Sequence, residues 1–412
     1  MKSEIRDRIE QIRHGNVPGG YKRTKTDVVP REWKETSIAP YLCEYVERTT
    51  IPNQHPVLTS ARKGLMLQTE YYANRQVTTE DNVGYYVLPY GYVTFRSRSD
   101  DGRFRFNENK IIERGIISYF YPVFSFSPLV CHDYMLQLLN ETIYRRMYPY
   151  IEGTAQQVLS MKKLGQLIYS LPPLDEQRRI AEILTTQDKV IELKEKRLAE
   201  KQRQKKYLMQ QLLTGKKRLH GFDGEWLSVR ANTLFKNVTD KKHDGTLEVL
   251  SATQDRGIVP RSQVDIDIKY AEESLIGYKK VAKGNFVISL RSFQGGIEYS
   301  EYTGIVSPAY TVLSAIYPIE DNYYRQFFKS PDYIGRLNVA VYGIRDGKQI
   351  SYEDFGRIKV PYPPLEEQKA IAAVLSTTDR EIEILTRDVE QEKQKKKALM
   401  QLLLTGIVRV QL

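Results

Sequence analysis

Asp265-Ile266-Asp267-Ile268-Lys269 is the stretch whose residue types come nearest to catalysis, because alternating carboxylates followed by a lysine can hold a divalent cation beside a phosphate. A strand with one charged face produces the same pattern, and that reading is preferred. Gly343-Ile344-Arg345-Asp346-Gly347-Lys348 lacks the spacing of a phosphate-binding loop. The five histidines form no ligand-spaced cluster. The two cysteines, Cys43 and Cys131, make no Cys-x-x-Cys or Cys/His set, so a pair of reduced, buried thiols is expected rather than a zinc site or a disulfide framework. An adenine methyltransferase would carry Asn/Asp-Pro-Pro-Tyr and a glycine-rich nucleotide loop. Neither is present, and Pro363-Pro364 runs into Leu365 as the start of a helix. No catalytic residue, no metal ligand and no cofactor bound by this chain is expected.

The residues point to binding instead. Lys and Arg number 62 against 51 Asp and Glu, a net charge of +11, which favours an anionic partner such as nucleic acid. Tyrosines number 29, and tyrosine suits wet, polar recognition surfaces. Reading base edges needs forked or long donors, Arg to guanine and Asn or Gln to adenine. Candidates beside expected turns are Arg62, Lys63, Arg96, Arg98, Arg103 and Gln157 in the first half of the chain. In the second half they are Arg256, Arg291, Gln294, Arg345, Lys348 and Gln349. The Lys-rich tracts 201–206 and 393–397 would meet phosphates or acidic partner surfaces, unless they are a solvated helix face.

Two long helices must position these groups. Pro172-Pro173-Leu174-Asp175-Glu176-Gln177 opens about forty residues without Gly or Pro, closed by Leu212-Leu213-Thr214-Gly215. Pro173 is pre-set for a first turn, Asp175 and Glu176 put negative charge at the N-terminus, and Gly215 supplies a left-handed cap. At 1.5 Å per residue the helix runs roughly 60 Å, longer than one core is wide. The same signals return at Pro363-Pro364-Leu365-Glu366-Glu367-Gln368 and Leu403-Leu404-Thr405-Gly406, displaced by 191 residues at both ends. Apolar residues recur seven or fourteen apart at Leu184, Ile191, Leu198 and Leu212 and at Leu375, Ile382, Val389 and Leu403, with Leu208, Leu385 and Leu399 on the partner position. That marks a coiled-coil seam, interrupted by Lys194, Lys201 and Lys205.

Between the helices lie two domains with strand-like runs and turns. The expected organisation is an N-terminal helix and linker (1–20), an α+β domain (21–170), a spacer helix (171–216), a second α+β domain (217–361) and a second spacer helix (362–412). In the first domain, strands are expected at Val57–Ser60, Gly84–Leu88, Tyr92–Arg96 and Ile116–Phe120, a turn at Asp101-Gly102, and helices over 3–14 and 133–148. The second echoes the first: Val249-Leu250-Ser251 matches Val57-Leu58-Thr59, Gly304-Ile305-Val306-Ser307 matches Gly115-Ile116-Ile117-Ser118, and the linker Gly215–Arg218 before Trp226 matches Gly20–Arg23 before Trp33. Antiparallel pairing of matched helices would place two different domains at opposite ends of a spacer.

The Pro-Pro-Leu-x-Glu-Gln opening and Leu-Leu-Thr-Gly close, repeated around unequal domains, resemble the specificity subunit of type I restriction–modification systems. Arg291-Ser292-Phe293-Gln294-Gly295-Gly296-Ile297 and Gly304-Ile305-Val306-Ser307-Pro308-Ala309-Tyr310 add to the resemblance, while the first domain carries Ser118-Tyr119-Phe120-Tyr121 instead of Ser-Pro-Ala-Tyr. The resemblance implies two target recognition domains that each read one half of a bipartite site on double-stranded DNA. It implies a helix pair that sets the gap and docks two methylation subunits, with restriction (nuclease–translocase) subunits completing the complex. S-adenosylmethionine would then sit on the methylation subunit, and ATP and Mg on the restriction subunit. The family is not catalytic alone. The N-terminus is charged and no run of 18 apolar residues occurs, so a cytoplasmic protein without a membrane span is expected. The competing reading is a coiled-coil adaptor that binds no nucleic acid.

Overall fold

A computed structural model describes residues 3–25, 27–72, 82–147, 157–264, 272–290, 292, 296–340 and 350–410. The chain divides into two units, one formed by Met1–Leu193 with Val389–Leu412, the other by Lys194–Asp388. The division falls inside both long helices, Leu174–Leu212 and Leu365–Leu403, each 39 residues. Each unit therefore contains one α+β domain and a piece of both helices.

The first unit is built on a four-stranded antiparallel sheet in the order Leu42–Tyr45, Val123–Phe126, Val93–Phe95, Phe106–Glu108. The strand faces are aromatic because Phe95, Phe106 and Phe124 must cover one side of the sheet. The helix His132–Met147 packs there through Tyr134, Leu138 and Leu139, in a core that also takes Ile180 and Leu184 from one long helix and Leu403 and Leu404 from the other. The second unit repeats the order with Phe235–Val238, Thr311–Ala315, Phe286–Ile288 and Glu298–Tyr299. Its core joins Phe235, Tyr324, Phe327 and Phe328 to Leu212, Ile371 and Leu375.

The secondary pairings repeat as well. Hairpin Leu58–Ala61/Gly64–Leu67 corresponds to Leu250–Thr253/Gly257–Pro260. The pair Tyr86–Pro89/Arg114–Ile117 corresponds to Lys279–Val281/Gly304–Val306. Helices Ser3–Arg13 and His132–Met147 fall within a residue of expectation. Ile116–Phe120 does not form one strand: the strand is Arg114–Ile117, and Ser118 accepts a backbone hydrogen bond from Tyr121 at 2.9 Å to make a turn. Gly115 and Gly304 occupy equivalent strand positions where a side chain has no room. A Cβ there would lie 2.3 Å from Leu58 Cδ1 in one unit and 2.4 Å from the Glu248 carbonyl oxygen in the other.

The helix openings work differently from a simple dipole arrangement. Asp175 is exposed and pairs with Arg178, but Glu176 is fully buried. Its carboxylate accepts from Arg409 Nε at 2.6 Å and Nη2 at 2.9 Å, and from Trp33 Nε1 at 3.2 Å. In the second unit Glu367 accepts from Arg218 Nε and Nη2, both at 2.6 Å, and from Trp226 Nε1 at 2.7 Å. The neighbouring glutamines also match. Gln177 accepts from the Cys131 amide and donates to Pro172 O, while Gln368 accepts from the Glu320 amide and donates to Pro363 O. Each thereby ties a domain helix to the start of a long one.

This arrangement corrects the linker match drawn from sequence. The counterpart of Arg218 is Arg409, not Arg23, whose guanidinium bonds Gly15 O. Gly215 and Gly406 are the left-handed caps, with φ of 71° and 73°, and they face the rings of Trp226 and Trp33 respectively. Tyr21 Oη donates to Gly406 O at 2.8 Å and Arg8 to Ile407 O at 2.7 Å, holding the C-terminal segment on the first domain.

Within each unit the two helix pieces pair antiparallel. Gln187 donates to Glu392 at 2.7 Å and Lys396 reaches Asp188 at 2.6 Å in the first unit. Lys194 meets Asp388, Lys201 meets Glu381 at 2.5 Å, and Lys205 meets Asp379 at 2.6 Å in the second. Leu184, Leu212, Leu375, Val389 and Leu403 are buried on this seam, and Ile191, Leu198, Leu208, Ile382, Leu385 and Leu399 are half-buried. The lysines do not interrupt the seam. They lie on it, half-buried, their stems covering apolar surface while the ammonium groups find carboxylates on the facing helix. Lys201, Lys205 and Lys396 are accordingly committed to the helix pair rather than presented as a phosphate-facing tract.

Candidate nucleic-acid interface

A hairpin, a strand end and a short two-stranded ribbon build the cleft of the first unit. Arg62 and Lys63 form the two-residue connection of hairpin Leu58–Ala61/Gly64–Leu67. Asn107 fixes that hairpin by donating to Ser60 Oγ at 2.8 Å and to Ala61 O at 2.9 Å. Arg96 follows the central strand Val93–Phe95. Arg98 begins the ribbon Arg98–Ser99, paired with Gln157–Val158. The Ser97 amide donates to Phe120 O at 2.9 Å, and the Arg98 guanidinium lies 4.6 Å from the centre of the Phe120 ring.

Arg62, Lys63, Arg96, Arg98 and Arg103 thus line one concavity of about 510 Å³. An adjoining hollow of about 450 Å³ shares Arg96 and Arg98 and adds Tyr85, Ser118 and Phe120. Gln157 sits beside the cleft, opposite Ser99, rather than in its wall. Among the described residues no carboxylate pairs with Lys63, Arg96 or Arg98. Arg62 does pair, with Asp101. Burial would raise the Asp101 carboxyl, but hydrogen bonds from Ser99, the Arg103 amide and Arg62 hold it below the ordinary carboxylate range, so it stays ionised. These five cations, against Asp100 in the wall and Asp101 beside Arg62, make a cleft that attracts a polyanion, with aromatic rings for contact area.

Sequence reasoning missed Arg105, Tyr71, Tyr72 and Tyr121, which line the same wall. A signal existed for Arg105: Arg103-Phe104-Arg105-Phe106 alternates, and the two phenylalanines are buried, so the two arginines share the outward face. The tyrosines carried no local signal.

Among its described residues the second unit offers a different arrangement. Arg256 lies in its equivalent hairpin connection, half-exposed, with Nη1 donating to Gln263 O at 3.1 Å and Asp255 3.8 Å away. Ser307-Pro308-Ala309-Tyr310 makes the same turn as Ser118–Tyr121, with the Tyr310 amide on Ser307 O at 3.0 Å. Lys279 donates to Tyr310 O at 2.6 Å, and burial lowers its ammonium from the ordinary lysine value. Arg291, Gln294, Arg345, Lys348, Gln349 and the acidic stretch Asp265–Lys269 lie outside the described residues.

The histidine expectation needs one amendment. Glu108, His132 and Asp133 bring three donor atoms within 4.8 Å of one another, which spacing along the chain does not reveal. Lys110 Nζ lies 2.8 Å from Glu108 Oε2 and already supplies the positive charge there. Neither cysteine is fully buried: Cys43 is exposed and Cys131 half-buried. No helix among the described residues is long and apolar enough to cross a membrane.

Comparison with known proteins follows the same outline. The family described as type I restriction modification DNA specificity domain matches twice, over residues 30–202 and 227–392. A Methanocaldococcus jannaschii protein, provisionally named as the MjaX type I restriction enzyme specificity subunit, is 29% identical over 304 residues, 67% of this chain and 68% of that protein. The type I restriction enzyme MjaVIII specificity subunit of the same organism is 53% identical over 53 residues, 13% of this chain and 12% of its own length. Among solved structures, the specificity subunit of a type I system from M. genitalium matches with a TM-score of 0.52 at 12% identity, covering 95% of this chain and 99% of that one. A chain from a study of type I system assembly and conformational transition matches with a TM-score of 0.55 at 17% identity, over 92% and 99%. At these identities the structures speak for the fold.

Proposed function

The chain belongs to the type I restriction modification DNA specificity family and is a specificity subunit with two target recognition domains, and from that premise we propose how its parts divide the work. Each domain reads one half of a bipartite, asymmetric site on double-stranded DNA. The helix pair sets the gap between half-sites and docks two methylation subunits, and nuclease–translocase subunits join them. Methyl transfer and cleavage belong to those partners, with S-adenosylmethionine on the methylation subunit and ATP and Mg on the restriction subunit. This chain contributes recognition.

The observation that carries the reading is the convergence of Arg62, Lys63, Arg96, Arg98 and Arg103 on one tyrosine-lined cleft. Arginine forks match the O6/N7 edge of guanine in the major groove, and the surrounding cations position phosphates. The equal lengths of the two helices support a ruler: adding four residues to each would displace a domain by about 6 Å, nearly two base pairs.

The test is binding of the reconstituted methylase to probes carrying both half-sites at different gaps. A gap changed by two base pairs should bind much more weakly, and uniform binding at every gap overturns the ruler. Binding should also weaken steeply with salt as counterions are released. A flat salt response would return the chain to the adaptor reading.

A further inference from the structure

The seam of the helix pair holds more polar residues than a stable rod needs. Ten positions spaced alternately four and three apart face the partner helix in each copy, from Ile180 to Leu212 and from Ile371 to Leu403. The first two and last two are apolar in both helices. Between them the first copy has Gln187, Lys194, Lys201 and Lys205, and the second has Thr378, Glu392 and Lys396. Gln187 is only 6% exposed. Half-burying charges in this way adds little net stability over leucine, because desolvation offsets the attraction.

What the polar positions do offer is discrimination between registers. An apolar heptad seam tolerates sliding by seven residues, since leucine meets leucine again. Here it does not. Sliding the second helix one heptad in one direction would set Lys395 opposite Lys194, Thr386 opposite Lys205, Leu403 opposite Asp188 and Leu399 opposite Gln187. Only Lys201 would keep an acid, Asp388. Sliding the other way would set Val374 opposite Lys201, Ala372 opposite Lys205, Val389 opposite Asp188 and Leu385 opposite Gln187. Only Lys194 would keep one, Glu381. The observed register satisfies all five pairs.

We propose that Gln187, Lys194, Lys201, Lys205, Glu392 and Lys396, with their acidic partners, are positioning residues that lock the helix pair in one register. This rests on the ruler reading for its consequence, because a one-heptad slip changes the helix overlap by about 10 Å, or three base pairs of gap. It stands apart from that reading as a statement about the rod. The cost of an unpaired, half-buried charge falls on every wrong register and not on the right one, so the device favours specificity over stability.

The test places spin labels at Arg197→Cys and Ile384→Cys, which line one groove of the second unit, in a chain carrying Cys43→Ser and Cys131→Ser. The parent should give one narrow distance. With Lys194, Lys201 and Lys205 all changed to Leu, a second, longer-distance population should appear, from labels offset by about 10 Å along the helix axis. Should that variant aggregate, Lys205→Asp should broaden the distribution and the added Asp379→Lys should restore the single distance. A single unshifted distance in the Leu variant, or in Lys205→Asp alone, overturns the lock. Gap selectivity is scored separately on the same proteins. Two distances alongside indifference to gap length would keep the lock and remove the ruler.

Discussion

In one unit Arg409 reaches a buried glutamate from a segment three residues short of the chain's end. In the other, Arg218 reaches the equivalent glutamate from the middle of the chain, directly after the first long helix. The two clamps are alike atom for atom: a guanidinium held by both carboxylate oxygens, an indole on the same carboxylate, a glycine cap facing that indole. Among the described residues, the faces that the same two domains offer to a ligand are unlike. One gathers arginines, a lysine and tyrosines into a cleft, and the other ties its hairpin arginine to its own backbone. The contrast teaches where the physics is strict. A buried carboxylate must have its partners whatever the domain reads. A recognition surface is free to differ, because its residues are exposed and their change costs the fold little.

The largest effect should come from breaking one clamp at a time. Glu176→Ala leaves Arg409 and Trp33 without their common acceptor and should cost the first unit about 3 kcal/mol. Glu367→Ala should do the same to the second. Trp33 and Trp226 are the only tryptophans, one per unit. In denaturant a Trp226→Phe background, which alters only the second clamp, therefore reports the first unit, and a Trp33→Phe background the second, each alanine being read against its own background. Each alanine should shift the midpoint of its own unit and leave the other nearly unchanged. If Glu176→Ala proves harmless, the C-terminal segment is not the counterpart of the mid-chain linker.

The unlike faces give the next test. Arg96→Ala and Arg98→Ala should each weaken binding about 10- to 100-fold and relax discrimination only at the half-site read by the first domain. Anisotropy titrations against probes with one half-site scrambled at a time separate the two domains. A loss that is equal on every sequence, with a shallower salt slope, would reassign these arginines to phosphate contact.

Much of this was legible in residue order, and the limits are instructive. Helix length, caps and the 191-residue repeat followed from Gly and Pro placement, because backbone chemistry acts locally. The five charged residues of the first cleft were found as loop cations, yet nothing in the sequence said they would meet. Their meeting depends on Asn107 tying a distant hairpin to a strand. Glu176 read as a helix-dipole charge because its spacing from the helix start suits that role equally well. Its burial is set by Trp33 and Arg409, 143 and 233 residues away. The linker was matched to the wrong arginine for a related reason: a linear reading pairs what precedes each domain, and the chain's end returns to serve as the first domain's linker.

The smallest effect sharpens the comparison inside the shared fold. Gly115 and Gly304 sit at equivalent strand positions, but what fills their missing side chain differs. At Gly115 the obstacle is the Leu58 side chain, whose rotamer can adjust. At Gly304 it is the Glu248 carbonyl oxygen, already accepting the Ile305 amide at 2.9 Å, with Leu250 close behind. A side chain yields more cheaply than a hydrogen-bonded peptide, so Gly304→Ala should cost about 2–3 kcal/mol and Gly115→Ala about 1 kcal/mol. The difference should appear in the Trp226 and Trp33 denaturation curves respectively. Equal costs would mean that the first hairpin is pinned as rigidly as the second, and that its freedom to present a different face resides only in the side chains beyond the strands.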